Sequence, residues 1–96
     1  MRVRYTRRAL LDLAGIGGYL RERNPSAAER VEAAIRSSIE MLAHFPRIGR
    51  DRPELHARSL GVPRYLYTVY YRIRGKRVSI LDIRDERRRP LERGDL

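Results

Sequence analysis

The side chains best suited to chemistry in this chain are arginines and tyrosines, set at strand-like spacing toward the C-terminal end. Arg58, Arg72, Arg74 and Arg84, continued by Arg87, Arg88 and Arg89, would assemble a cationic surface. A guanidinium is a planar fork of donors that grips phosphate or carboxylate bidentately, so such a surface positions an anionic backbone or holds an acidic protein segment. Asp82, Asp85 and Glu86 interleave with these arginines, and a solvated, internally balanced strand face is the plainer alternative. Tyr65, Tyr67, Tyr70 and Tyr71 raise a second chemistry, the stacking of bases on an exposed sheet. The parity of Tyr67 and Tyr71 suits core packing, whereas Tyr70, on the other face beside Arg72, is the surface candidate.

Other chemistries are poorly supplied. His44 and His56 are the only histidines, one near a helix end and one in a loop, and no helical His pair is available to a metal. With no cysteine there is neither a thiolate site nor a disulfide, which fits a reducing cytoplasm. Gly15, Gly17 and Gly18 fall inside a helical pattern rather than in a phosphate loop, and no serine sits in a strand-turn-helix elbow. No metal or cofactor is expected.

The elements that must position these residues are legible from period and punctuation. Tyr67, Val69, Tyr71 and Ile73 alternate with Thr68, Tyr70, Arg72 and Arg74, which predicts a half-buried strand. Gly75-Lys76 follows with glycine at the first central place of a type II′ turn, and Val78, Ile80, Leu81 and Ile83 form the returning strand. Leu81 and Ile83 have the opposite parity to Val78 and Ile80, so this strand is covered on both faces toward its end or carries a bulge. A hairpin alone is marginal in water and needs a cover. Upstream, Val3 and Tyr5 suggest a short strand. Thr6 caps a helix with Ala9, Leu13, Ile16 and Leu20 in its stripe, widened by Leu10 and Tyr19. Asn24-Pro25 ends it and opens a second helix on Ala27, Val31, Ala34, Ile35, Ile39 and Leu42, with Ser26 and Glu29 as a competing capping box. Pro46 stops that helix, a loop runs through Pro53, and Arg58, Leu60 and Val62 alternate as a further strand. The order β, α, α, β, β, β packs most economically as an α+β domain, a helical hairpin on one face of an antiparallel sheet.

At 96 residues the chain holds one domain, residues 1–96, with Pro90 to Leu96 expected as a loose tail. Its formal net charge of +10 favours anionic partners. No segment approaches the roughly 20 apolar residues of a membrane span, and a soluble cytoplasmic protein is expected.

Tyr5-Thr6, Ala9, Asp12-Leu13 and Ile16, then Asn24-Pro25 with Ala27-Ala28, then Leu42, Pro46 and Gly49-Arg50, then Arg58, Leu60, the Tyr67 to Arg72 strand and the Ile80 to Arg88 segment occur in one order along nearly the whole chain. In that order they resemble the RelE/ParE toxin superfamily of bacterial type II toxin-antitoxin systems, and more closely its ParE branch, the plasmid stabilisation toxins. The resemblance implies a non-enzymatic toxin that poisons DNA gyrase and is silenced in a hetero-oligomer with a ParD-like antitoxin of acidic and apolar character. Direct nucleic-acid binding is not expected. Arg58, Tyr70, Arg72, Arg84, Arg87, Arg88 and Arg89 are the expected target-binding residues. The RelE branch, which cleaves mRNA on the ribosome, is the alternative, with Arg58, Arg84 and Arg87 holding the scissile phosphate. No tyrosine or histidine follows Tyr71, however, and a guanidinium is too basic to move protons near neutral pH. Asp85 stands roughly where ParE-like chains often carry a histidine. A degenerate toxin kept only to bind its antitoxin is the third possibility.

Overall fold

The structure, a computed structural model, describes residues 1–87, 91 and 94–96. Strand β1 (Arg2–Tyr5) leads into helices α1 (Arg7–Arg23) and α2 (Pro25–His44), followed by β2 (Arg50–Arg52), a 3-10 turn (Pro53–Leu55), β3 (Ala57–Gly61), β4 (Tyr67–Arg74) and β5 (Arg77–Asp85). The strands form one five-stranded sheet in the order β1-β5-β4-β3-β2. Two features depart from the sequence reading. Arg50–Arg52, expected as loop, pairs antiparallel with β3 as an edge strand, and β1 runs parallel to β5, so the sheet is mostly rather than wholly antiparallel.

Local signals set the helices. The Thr6 hydroxyl accepts from Ala9 N–H at 3.2 Å, capping α1, and donates to the Ile80 carbonyl at 2.7 Å, tying the helix start to β5. Asn24 Oδ1 accepts from Ala27 N–H at 3.1 Å and Pro25 takes the first helical position, so the cap forms at Asn24 rather than at Ser26. Gly17 is buried where α1 meets Glu32 of α2, and a Cβ there would collide with that carboxylate; Gly15 and Gly18 face open space. The α1 stripe is narrower than its pattern suggests, since Leu10 and Tyr19 are exposed.

The helices bury Ala9, Leu13, Val31, Ile35, Ile39 and Leu42 against Val69, Tyr71, Val78, Ile80 and Ile83. The β4–β5 turn has Gly75 at φ 57° with Lys76 outside the left-handed region, the type II′ pattern. The parity switch on β5 is a bulge. Pairing steps from Tyr70↔Asp82 to Tyr71↔Ile80, leaving Leu81 as the extra residue, and Ile83 thereby returns to the core.

The second face of the sheet is also covered. Leu55, Ala57, Tyr70 and Leu91 form a smaller buried cluster, with Leu81 and Leu96 packed against it. This corrects two expectations. Tyr70 is only 4 % exposed, because the 3-10 turn and the C-terminal leucines lie over it. The segment expected as a loose tail seats Leu91 and Leu96 on the sheet, while Pro90, Glu92 and Arg93 lie outside the described residues.

Candidate functional site

Among the described residues β5 has no strand on its β1 side beyond Tyr5, and α1 takes that edge instead. Asp12 Oδ2 accepts the Ile83 N–H at 2.9 Å, replacing a ladder bond with a carboxylate. Between α1 and this half of β5 runs a groove of about 580 Å³. Leu11, Gly15 and Tyr19, each four residues on from the last, line one wall with Arg8 and Asp12; Tyr67, Asp82, Arg84, Asp85 and Arg87 line the other.

The floor of the groove is ionic. Asp82 is 2 % exposed, and its carboxylate lies 2.7 Å from Arg8 Nη2 and 3.7 Å from Arg84 Nη2. Burying a carboxylate this deeply carries a desolvation cost that the two flanking guanidiniums offset. Arg8 also donates to the Asp95 carbonyl, so one side chain joins α1, β5 and the chain end. Burial, and to a lesser extent the charge of Asp82, raises the Asp12 carboxyl above its ordinary value, against the Ile83 N–H, which lowers it. At the groove mouth Arg87 forks onto Asp85, Nε to Oδ1 at 2.9 Å and Nη2 to Oδ2 at 2.8 Å. Burial, and then Asp85, raises the Tyr67 phenol above the ordinary tyrosine value.

The expected cationic surface is therefore divided. Arg58 pairs with Tyr71 across the β3–β4 ladder, on the helix-side face, and donates to the carbonyls of Gly49 (2.9 Å) and Arg47 (3.4 Å). Arg72 lies on the opposite face with Nε donating to the His56 carbonyl at 2.6 Å. Tyr70 is buried beside it, its hydroxyl 3.5 Å from Glu86 Oε1. Among the described members of that set, Arg84 and Arg87 line one groove together. Arg88 and Arg89 lie outside the described residues. Sequence reasoning overlooked Arg8, although Arg8 and Asp12 stand at the i, i+4 spacing that places opposite charges on one helix face.

A second structured region follows α2. The Tyr71 hydroxyl, buried under the helices, donates to the Pro46 carbonyl at 2.7 Å and accepts from Gly49 N–H at 3.0 Å. A Cβ on Gly49 would lie 2.5 Å from that hydroxyl and 2.9 Å from the Ser59 carbonyl, so glycine is required by close approach. Burial pushes the Tyr71 phenol up, opposed by the Gly49 bond and by nearby Arg58.

Among the described residues no group of three or more His, Cys, Asp or Glu side chains could hold a metal ion, and no helix is long and apolar enough to cross a membrane.

This arrangement of a helical hairpin on a five-stranded sheet is shared with a solved structure titled "Chromosomal ParDE TA system from P. aeruginosa", which superposes with a TM-score of 0.76 at 26 % identity over 86 % of this chain and 92 % of that one. A protein of Sinorhizobium fredii (strain NBRC 101917 / NGR234) named "Putative toxin Y4kP" is 38 % identical over 82 residues, 85 % of this chain and 84 % of its own length. The family model described as ParE toxin of type II toxin-antitoxin system, parDE, matches residues 3–90. Fold, sequence and family model agree, and the chain belongs to the ParE toxin family of type II toxin-antitoxin systems.

Proposed function

We propose that this ParE-type toxin acts by binding and inhibiting DNA gyrase, and that an antitoxin neutralises it by occupying the α1–β5 groove. The observation that carries this reading over ribosome-dependent cleavage is the separation of the arginines. Cleavage would need Arg58 and Arg84 on one phosphate. Arg58 is level with Tyr71, whereas Arg84 is level with Thr68, three residues along β4. That spacing is about 10 Å of strand and, being odd, puts the two on opposite faces. Two guanidiniums so placed cannot chelate one phosphate group, and Arg58 is already bonded to loop carbonyls.

The groove suits an antitoxin segment that is both acidic and apolar. Leu11 and Tyr19, exposed on α1, offer apolar contact, and Arg84 and Arg87 on the facing wall offer cations. The same wall is the part of the expected target-binding set that remains together, so an antitoxin seated there would cover it. Pulse labelling after induction of the toxin without its antitoxin tests the reading. DNA synthesis should fail first while translation continues; an earlier collapse of protein synthesis would overturn gyrase as the target and restore the interferase reading.

A further inference from the structure

The corner that follows α2 is exposed, apolar and held rigid, and nothing above gives it a role. Met1, Met41, Phe45 and Ile48 each leave 43–55 % of their surface in water. They are neighbours: Met41 and Phe45 are one helical turn apart, Ile48 N–H donates to the Phe45 carbonyl at 3.2 Å, and the N-terminal ammonium of Met1 donates to the Ala43 carbonyl at 2.6 Å. Arg47, between Phe45 and Ile48 in the chain, is exposed and pairs with no carboxylate among the described residues.

The rigidity is built from within. Tyr71 and Arg58 together bind the carbonyls of Pro46, Arg47 and Gly49 and the amide of Gly49. Buried groups thus fix the backbone of a loop whose side chains mostly face outward. That combination, large apolar anchors and an exposed arginine on a backbone already ordered, is the composition of a protein-binding hot spot with its ordering cost met in advance.

We infer that this corner docks into an apolar pocket with an acidic rim on the folded target protein; the inference rests on the target proposed above, gyrase. Shape and charge select that occupant. The groove is concave and takes a chain segment, whereas His44, Phe45, Arg47 and Ile48 are exposed outside it, on an ordered loop suited to a recess in a preformed surface. A second copy of this chain, at net charge +10, would meet it with like charge. The corner is therefore a target contact that an antitoxin segment in the groove need not touch.

The test uses the purified toxin, purified gyrase in a supercoiling assay, and a ParD-type antitoxin that binds the wild-type toxin. The double variant Phe45→Ala/Ile48→Ala removes exposed side chains only, and its antitoxin affinity reports that it is folded. The toxin concentration giving half-inhibition should rise by about ten-fold or more, the loss expected on removing hot-spot anchors, with antitoxin affinity unchanged. Arg47→Glu should weaken inhibition further in low salt than in high salt. Unchanged inhibition by the double variant, or a loss of antitoxin binding in its place, overturns the inference while leaving the proposed target standing. Failure of the wild-type toxin to inhibit gyrase overturns the proposed function itself.

Discussion

The groove beside β5 and the corner after α2 use the same residue types, arginine and tyrosine, but different forces hold them. In the groove, Arg8, Arg84 and Arg87 answer Asp82 and Asp85, and Asp12 carries a strand amide. In the corner, a phenol and a guanidinium answer neutral carbonyls and one amide. Charge pairs respond to pH, salt and the arrival of other charges; bonds to backbone carbonyls largely do not. The difference separates a surface that a charged partner can rearrange from one that presents the same shape to every partner.

The largest expected effect breaks the corner. Tyr71 is fully buried, so Tyr71→Ala should cost about 3–5 kcal/mol in urea denaturation, while Tyr71→Phe, which keeps the ring and leaves the Gly49 amide unanswered, should cost about 1–2 kcal/mol. Neither loss should vary much between low and high salt. Breaking the groove comes next. Arg8→Ala removes the nearer of two cations from a buried carboxylate, and because Arg8 is half exposed and Arg84 remains, the cost should be about 1–3 kcal/mol. Adding Asp82→Asn to that variant should recover part of the loss; no recovery would mean that Arg8 acts by packing rather than by charge.

Asp12 sharpens the contrast through pH. Its folded carboxyl titrates above its ordinary value, chiefly from burial, so the stability it contributes is complete below the unfolded pKa and is lost as pH rises through the folded one. Ionised Asp12 is therefore a cost at neutral pH. Asp12→Asn keeps an acceptor for Ile83 N–H and removes that cost, so the variant should melt at least as high as wild type at pH 7. Its advantage should shrink toward pH 4; a constant gap would show that the carboxyl is not raised. Smallest of all is Arg87→Ala. This pair sits at the groove mouth with Arg87 60 % exposed, and its loss should move stability by no more than about 0.5 kcal/mol while weakening antitoxin binding measurably by calorimetry.

What could be read before the fold was seen follows the range of the forces involved. Thr6, Asn24-Pro25 and Gly75-Lys76 act within a few residues of themselves, and each cap or turn stands where its chemistry put it. The bulge was legible as a change of parity at Leu81 and Ile83. Arg50–Arg52 carried no alternation, because an edge strand of two arginines and an aspartate has no apolar face to declare. Tyr70 looked exposed because its cover comes from Leu55 and Leu91, neither of which is near it in sequence. The arginines showed where positive charge is, but not that Arg58 and Arg72 would turn to carbonyls and Arg87 to its neighbour Asp85; those partners are fixed by the sheet.

The order of the strands also governs how the molecule is made. Strand β5 lies between β4 and β1, and among the described residues β1 has no other partner in the sheet. Synthesis runs from the amino end, so β1 must wait for β5, 75 residues on at the Arg2↔Arg77 pair, and α1 waits likewise for Ile80 and Ile83. Contacts that span so much sequence slow folding and leave the growing chain without its central strand. A sheet built this way cannot close until β5 has left the ribosome.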